Sequence, residues 1–253
     1  MCLAAVIEDV NEQPHRERSF YEYPKLYDFF HSRVLDRTKQ VSLLEHFEPD
    51  NANRVLELGC GTGPLLARIE DEYDEVLGVD SDESMLAVAR EKVTTADLKR
   101  ADFTDWCATD HGRTFDTAVL MGGLLHLTRD EDLQALAVNT YDSLREGGAF
   151  GTFFQPFTED VANGNRTVEA VESERYTVKR HATTALTSPE GHYTTTYLFT
   201  LRDKNRASEA KIGTVFNGRF HDPDKLADVF RSAGFDDVEV TTGDAPTTLR
   251  AVK

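Results

Sequence analysis

Two periodicities of apolar residues divide the chain into helical and extended segments. From residue 20 to residue 47, apolar side chains recur near the spacing of an amphipathic helix, which predicts an N-terminal helical cap. From residue 54 to residue 154, short apolar runs alternate with further helical stretches. This alternation is typical of an α/β fold, in which a mostly parallel sheet carries helices on both faces.

Five apolar runs of this second region are short enough to be strands of the sheet. They lie at 54–58, at 75–79, at a weaker run towards 101–103, at 115–121 and at 149–154. Residues that favour helix ends mark the helices between the strands. The expected N-caps are Ser81 and either Thr128 or Asp130, and the expected C-cap is the pair Gly147 and Gly148.

The composition and the polarity pattern of the sequence change after Pro156. Residues 158–220 are rich in threonine, tyrosine and valine with alternating polarity, and 188–191 reads as a hairpin turn between two such runs. We therefore expect an antiparallel β insertion after the fifth strand, which acts either as a substrate lid or as the surface of a homodimer. A helix at 222–234 and two final strands complete a single domain of residues 1–253.

The charge of the chain is strongly acidic. It has 45 acidic and 28 basic residues, a net charge of -17, and 19 of the basic residues are arginine. Repulsion among these charges is large at low salt and is screened within a few ångströms in concentrated salt, so the composition resembles that of proteins from salt-adapted cells. Because no basic stripe exists, the composition argues against a nucleic-acid partner.

Cysteine usage and hydropathy favour a cytoplasmic protein. Cys2, Cys60 and Cys107 are odd in number, widely spaced and outside any CxxC pair, which suggests neither disulfides nor a metal site. No apolar stretch approaches the roughly 20 residues that span a bilayer. The N-terminal apolar run lacks a preceding basic region, so we expect no secretory signal and no membrane partner.

The strongest chemical signal is the glycine-rich segment after the first strand. Gly59, Gly61 and Gly63 follow it, and Pro64 stands where the dinucleotide fingerprint has its third glycine. Glycines at the carboxyl end of a strand let a ligand approach the backbone closely. Asp80 ends the second strand 21 positions after Gly59, where a carboxylate can accept hydrogen bonds from both hydroxyls of a ribose.

Five segments resemble the class I S-adenosylmethionine (SAM)-dependent methyltransferases, in particular their small-molecule branch. They are VLELGCGTG at 55–63, VLGVDSDESML at 76–86, ADFTDW at 101–106, FDTAVLMGGLLHL at 115–127 and LREGGAFGTFF at 144–154. The resemblance covers roughly 21–154 and the 233–235 turn. It implies a seven-stranded, mostly parallel sheet in which the last strand is inserted antiparallel.

The same resemblance implies how SAM would be held. The glycine loop would line the methionine part, with an acid of the first strand near its ammonium group. The acid after the second strand would hold the ribose, the segment after the third strand would contact the adenine, and residues after the fourth strand would border the sulfonium. The residues implied to bind the cofactor are Tyr27, Glu57, Gly59, Cys60, Gly61, Gly63, Asp80, Ser81, Met85, Asp102, Phe103, Met121 and Gly122. For Tyr27, which would close over the methionine end, plain core packing is an equal alternative.

His126 is the candidate catalytic residue. It lies just past the fourth strand, beside the expected methyl site, and an imidazole titrates near neutral pH. It would act as a general base if the acceptor is a hydroxyl or an ammonium group, whereas the alternative is a surface or helix-capping histidine. His31, His181, His192 and His221 could also reach the pocket, and nothing in the sequence separates them.

The leading hypothesis is a SAM-dependent N- or O-methyltransferase that acts on a small-molecule acceptor, with a slight preference for an amine. A SAM-binding protein without catalysis, acting as a regulatory or interaction module, is a second hypothesis. A nicotinamide-dependent oxidoreductase is a third, against which Pro64 counts. Turnover on a metabolite panel separates the first two, and binding of SAM against NAD separates the third.

Overall fold

The computed structural model describes residues 1–157, 164–243 and 246–253. These residues form two compact units. The core unit comprises Arg37–Phe157 with Arg219–Lys253, and the insertion unit comprises Met1–Asp36 with the described part of Thr158–Gly218. Whether the two units act as a single methyltransferase domain stays a prediction.

Strands and helices alternate along the core unit as the hydrophobic pattern predicts. The strands of the chain are β1 Arg54–Leu58, β2 Glu75–Asp80, β3 Asp97–Arg100, β4 Phe115–Leu120, β5 Leu144–Phe154, β6 Arg166–Glu172, β7 Tyr176–Leu186, β8 His192–Asp203, β9 Ser208–Arg219, β10 Asp237–Thr241 and β11 Thr247–Val252. The α-helices are α1 Leu3–Glu12, α2 Pro24–Val34, α3 Arg37–Phe47, α4 Leu66–Ile69, α5 Glu83–Ala89, α6 Asp130–Ser143 and α7 Pro223–Ala233. Short 3₁₀ turns lie at Phe20–Glu22, Thr109–His111 and Leu124–His126.

The sheet of the core unit has seven strands in the order β10-β11-β5-β4-β1-β2-β3. Strands β1 to β5 pair in parallel, whereas β11 is antiparallel to both β5 and β10. The predicted seven-stranded, mostly parallel sheet with one antiparallel strand near its end is therefore confirmed. Parallel pairing brings the carboxyl ends of β1, β2, β3 and β4 to the same edge.

Helices cover both faces of this sheet. Leu56 and Leu58 of β1 belong to a buried cluster that includes residues of α6 and α7. Val55, one residue before Leu56, belongs to a second cluster that includes residues of α3, α4 and α5. Because side chains of a strand alternate between the two faces, the two clusters lie on opposite sides of the sheet, as predicted.

Several predicted boundaries are wrong. The third strand ends at Arg100, before the expected 101–103 segment. Neither Thr128 nor Asp130 caps α6, since Arg129 holds the extended N-cap position and an acidic first turn stabilises the helix dipole. The helix ends at Ser143 and its C-cap is Leu144, not a glycine; the N–H of Gly147 instead donates to the Lys253 carbonyl at 2.8 Å.

The predicted helical cap at 20–47 is also divided. A 3₁₀ turn at Phe20–Glu22 leads into α2, and α2 ends because Leu35 is extended (φ -91°, ψ 128°). The unit boundary at Asp36 then places α2 in the insertion unit and α3 in the core unit. The structure adds α1, which the sequence analysis did not predict, although Leu3, Val6, Ile7 and Val10 are buried at helical spacing.

The insertion unit contains the expected antiparallel sheet. Its four strands run in the order β6-β7-β8-β9, and the turn between β7 and β8 spans the predicted 188–191 segment. A buried cluster joins this sheet to α1 and α2, and in it the rings of Phe20 and Phe199 stack with centroids 3.9 Å apart. Residues 158–163 of the predicted insertion lie outside the described residues. Among the helices of the described residues, none is long and apolar enough to cross a membrane.

Asp116 ties together the three central strands of the core unit. Its Oδ2 accepts the backbone N–H groups of Asn53 and Arg54 at 2.8 Å each, and Oδ1 accepts from Arg145 of β5. The residue is only 7% exposed. Burial alone would raise the pKa of this carboxyl, but the hydrogen bonds and the Arg145 charge outweigh it and hold the pKa below its ordinary value.

We predict that Asp116→Asn lowers the free energy of unfolding by about 1–3 kcal/mol at pH 7, because an amide cannot accept all three charge-assisted bonds. The native pKa is depressed, so this stabilisation is present above the unfolded pKa of about 3.9 and is lost as the pH falls through the native value. Urea unfolding at pH 7, 5, 4 and 3 in concentrated KCl measures the difference. It should shrink towards zero at the lowest pH. Asp110 is exposed, so Asp110→Asn should change neither the free energy of unfolding nor its dependence on pH. A difference between wild type and Asp116→Asn that does not vary with pH would contradict this account.

Candidate active site

The glycine-rich segment forms a tight loop between β1 and α4, at the carboxyl edge of the sheet. Gly59, Gly61 and Gly63 all have left-handed φ angles, of +64°, +56° and +70°. Side-chain-bearing residues rarely adopt this conformation, which explains the regular spacing of the three glycines. The N–H of Cys60 donates to the Val79 carbonyl at 3.0 Å, so the loop is attached to β2.

The three glycines face different surroundings. A Cβ added at Gly61 would meet no atom within 4 Å, so this part of the loop presents bare backbone to open space. A Cβ added at Gly63 would lie 3.0 Å from Ala89 and 3.2 Å from Val93, so Gly63 is required for packing against the end of α5. Cys60 is 3% exposed and burial raises the pKa of its thiol, so it can reach a ligand only through its backbone.

Asp80 lies beside this loop at the end of β2. Its Oδ2 accepts the N–H of Gly61 at 2.8 Å, and its Oδ1 accepts the N–H of Asp82 at 2.9 Å. Burial raises the pKa of the Asp80 carboxyl above its ordinary value, against the opposing effect of the two backbone hydrogen bonds. Each carboxylate oxygen retains a second lone pair, so Asp80 can still accept from two neighbouring hydroxyls. The structure therefore brings together the loop and the acid that the sequence singled out.

Ser81 is not the N-cap of α5. Asp82 holds that position, and its Oδ1 accepts from the N–H of Ser84 at 2.8 Å and from its hydroxyl at 2.7 Å. The cap falls one residue later than predicted because Asp80 already accepts the N–H of Asp82 and holds that residue in an extended conformation. Ser81 is exposed, and its carbonyl accepts from Arg100 Nε at 3.2 Å.

Two further residues predicted to bind the cofactor are buried on elements next to the loop in the sequence. Glu57 is 4% exposed in β1, where it pairs in register with Gly78 on one side and Val119 on the other. Met85 is also 4% exposed, on the first turns of α5. Both lie on elements that border the carboxyl edge, so their predicted roles remain compatible with the geometry.

The segment after β3 also lies against the loop. Asp102 is exposed, and its Oδ1 accepts from the N–H of Thr104 at 2.9 Å and from its hydroxyl at 2.7 Å. A Cβ added at Gly59 would lie 3.7 Å from the ring of Phe103, which places that ring beside the loop. The side chain of Asn139 in α6 donates to the carbonyls of Phe103 and Thr104, a contact that the sequence analysis missed.

The segment after β4 carries Met121, Gly122 and the candidate base. Gly122 has a φ of +101°, and His126 ends the 3₁₀ turn that follows. His126 is exposed as a whole residue, yet burial of its imidazole by surrounding protein atoms lowers the pKa of that ring below its ordinary value. His221, which is 4% exposed, places Nε2 3.0 Å from the Leu124 carbonyl and so braces this turn.

Tyr27 belongs to the insertion unit, together with His31, His181 and His192. Its ring lies 4.1 Å from that of His31, 5.7 Å from Phe20 and 5.6 Å from Tyr21, measured between centroids. The aromatic packing expected as the alternative for Tyr27 is therefore present. Its role at the methionine end of the cofactor stays a prediction.

The part of the chain that contains these loops is similar to known proteins. Residues 55–148 match the family model of a methyltransferase domain. The chain carries a SAM-dependent methyltransferase domain. Within the described residues of this methyltransferase, no cluster of three or more histidine, cysteine or acidic side chains is arranged to hold a metal ion.

A curated relative of this methyltransferase is dTDP-3-amino-3,4,6-trideoxy-alpha-D-glucopyranose N,N-dimethyltransferase of Streptomyces venezuelae. It is 28% identical over 165 residues, which are 63% of this chain and 68% of that protein. The chain spans about half the length of the next two curated relatives that it matches, 52% and 49%.

Two solved structures share the fold. DesVI of Streptomyces venezuelae has a TM-score of 0.80 at 22% identity, with 94% of this chain and 99% of that chain covered. SAM-bound CalS10, an amino pentose methyltransferase from Micromonospora echinaspora, has a TM-score of 0.75 at 21% identity, with the same two shares covered. The fold of the methyltransferase is thus supported over nearly its whole length.

The residues present fit SAM. The open backbone at Gly61 leaves room for the amino-acid part, and Asp80 presents its carboxylate beside that backbone, where it can hold the ribose. Asp102 lies next along the edge, since β3 pairs with β2 and its last residue is opposite Asp80. The acids of this edge also suit a cofactor that carries a sulfonium and an ammonium group.

We predict that alanine at one loop glycine mainly weakens ligand binding and that alanine at another mainly lowers stability. Gly61→Ala should lower the free energy of unfolding by only about 1 kcal/mol, the cost of a side chain in the left-handed region, because its Cβ enters open space. It should weaken binding of S-adenosylhomocysteine (SAH) about 10-fold or more, since the Cβ occupies the ligand's side of the loop. Gly63→Ala should cost about 2–4 kcal/mol by combining left-handed strain with overpacking against Ala89, and should change SAH affinity less than about 3-fold.

Urea unfolding and isothermal titration calorimetry measure the two quantities on each variant. A larger stability loss for Gly61→Ala than for Gly63→Ala, together with a larger affinity loss for Gly63→Ala, would reverse the assignment of these two positions.

Proposed function

We propose that this methyltransferase transfers the methyl group of SAM to the amino group of a small amino sugar. The observation that carries the proposal is the placement of His126, with a lowered imidazole pKa, at the carboxyl end of β4 beside Met121 and Gly122. An imidazole that is neutral at physiological pH can accept the proton that a protonated amine must lose before it becomes a nucleophile.

SAM, when bound, supplies a methyl group on an already activated sulfonium. The chain's own contribution is to hold the reacting atoms in line and to take up a proton. The Gly61 backbone would hold the methionine part of SAM, and Asp80 would hold its ribose. His126 would accept a proton from the ammonium form of the acceptor, which leaves the nitrogen lone pair free to take up the methyl group that bound SAM would supply.

The charge of the chain supports a cationic acceptor. A net charge of -17 creates a negative potential around the protein that raises the local concentration of cations and repels anions. A free amino sugar, which carries an ammonium group, is attracted by this field, whereas a phenolate, a carboxylate or the diphosphate of a nucleotide-linked sugar is repelled. The effect weakens at high salt, because the screening length falls to about 3 Å at 1 M.

The names of the similar proteins support the same class of acceptor. The curated relative is named as an N,N-dimethyltransferase of an amino sugar nucleotide, and CalS10 is described as an amino pentose methyltransferase. An amino sugar is therefore preferred here over the hydroxyl acceptors of O-methylation that the sequence alone left open. We keep the substrate lid and the homodimer surface as the two proposed roles of the four-stranded sheet, and the cytoplasm as the proposed location.

Methylation of matched sugars tests the proposal. We would incubate the protein with methyl-labelled SAM in concentrated KCl and offer free and nucleotide-linked amino sugars, each beside its hydroxyl counterpart. Label should enter the amino sugars, on nitrogen, and not the hydroxyl counterparts. Label on oxygen would overturn N-methylation. SAM binding without label in any acceptor would favour the second hypothesis, a SAM-binding protein without catalysis.

For the amino sugar that turns over best, we predict that His126→Gln lowers kcat by about 100-fold or more, the usual contribution of a general base. In the wild type, activity should fall on the acid side only below the ordinary histidine pKa of about 6.5, because the native pKa is lowered and the neutral form persists to lower pH. The variant should lose this acid limb and keep its SAH affinity. His46→Gln, an exposed histidine of α3, is the matched control and should behave as wild type. An unchanged pH profile in His126→Gln would remove His126 from the mechanism.

A further inference from the structure

The loop after β3 is held by a helix that is distant in sequence. Asn139 lies in α6 and is 36 residues from Phe103. Its Nδ2 donates to the Phe103 carbonyl at 3.1 Å and to the Thr104 carbonyl at 2.8 Å. Since both partners are carbonyls, they require the two N–H groups of the amide, which fixes the orientation of the Asn139 side chain.

A short chain of hydrogen bonds connects this amide to the carboxylate of Asp102. Thr104, whose carbonyl Asn139 holds, donates its own N–H and its hydroxyl to Asp102 Oδ1 at 2.9 and 2.7 Å. The orientation of the Asp102 carboxylate is thus set by Thr104, and the position of Thr104 is set by Asn139. With Oδ1 engaged by Thr104, Oδ2 is the oxygen that an incoming hydrogen-bond donor would meet.

The same face of α6 also contacts Ala108, at the carboxyl end of the segment that follows β3. Ser143, one helical turn after Asn139, accepts the N–H of Ala108 on its hydroxyl at 2.9 Å and donates to the Asn139 carbonyl at 2.7 Å. Trp106 lies between the two anchor points and Ala108 lies at the second. Both are buried in the cluster that also contains residues of α6. The segment is therefore attached through side chains at two points and packed between them.

We propose that Asn139 is a positioning residue for adenine recognition, which aims the Asp102 carboxylate at the exocyclic amino group of the SAM adenine through Thr104. The residue does not touch the cofactor itself. The inference rests on SAM binding and on the adenine contact of Asp102, and it is independent of which acceptor is methylated.

Discrimination between two nucleoside products tests the proposal. The 6-amino group of SAH can donate to Asp102, whereas the 6-oxo group of S-inosylhomocysteine repels it. Isothermal titration calorimetry of both products should give wild-type protein a preference for SAH of about 10-fold or more. Asn139→Asp is isosteric, but its carboxylate would face two carbonyl oxygens and displace the loop, so the preference should fall to about 3-fold or less.

Four further variants, one of them a double variant, separate positioning from a general loss of structure. Gln134→Glu makes the same amide-to-carboxylate change earlier in α6 and should keep the wild-type preference. Asp102→Ala should abolish the preference, and adding Asn139→Asp to it should change the preference no further. Thr104→Val, which removes one of the two bonds to Asp102, should reduce the preference partly, and provides a second test if Asn139→Asp does not fold.

A weaker binding of both products with an unchanged ratio would show that Asn139 merely stabilises the fold, and would overturn the proposal. A normal preference in Asp102→Ala would overturn the adenine assignment and the proposal with it. Neither result would bear on the acceptor, because both products are measured without turnover.

Discussion

The hydrogen bond from the Gly61 N–H to Asp80 Oδ2 is the contact on which the active site depends. It joins the loop that ends β1 to the residue that ends β2, at 2.8 Å, and it forms because Gly61 adopts a left-handed conformation with its backbone bare. The same carboxylate holds the N–H of Asp82 and so sets where α5 begins. One acid thus fixes the loop, the helix and the position of the expected ribose contact.

The neighbouring loops of the carboxyl edge are secured by residues that are distant from them in sequence. Asn139 of α6 holds the loop after β3, and His221 braces the turn that carries His126 after β4. His221 is itself fixed, because its carbonyl accepts the N–H of Phe157 at 3.1 Å after β5. The residues expected to meet the cofactor and acceptor are therefore short-range features of their own loops, held in place by long-range contacts.

This difference in range explains what could be predicted from the sequence. The Gly61 loop and Asp80 were predictable because the strand, the glycines and the acid that ends the next strand all lie within residues 54–80. The N-cap of α5 was not, since Asp80 shifts it from Ser81 to Asp82 by a contact that propensity does not register. Asn139 could not be found either, because an asparagine within an amphipathic helix has no local signal of partners 35 and 36 residues away.

The most direct test of the account is calorimetric titration of SAH into wild-type protein and two matched variants in concentrated KCl. Asp80→Asn should weaken binding about 30-fold or more, because it removes the charged acceptor that ties the loop and meets the ribose. Asp82→Asn should change affinity less than about 3-fold, since asparagine caps a helix as well as aspartate does. No heat from SAH in the wild type, or equal affinity in wild type and Asp80→Asn, would contradict the central claim.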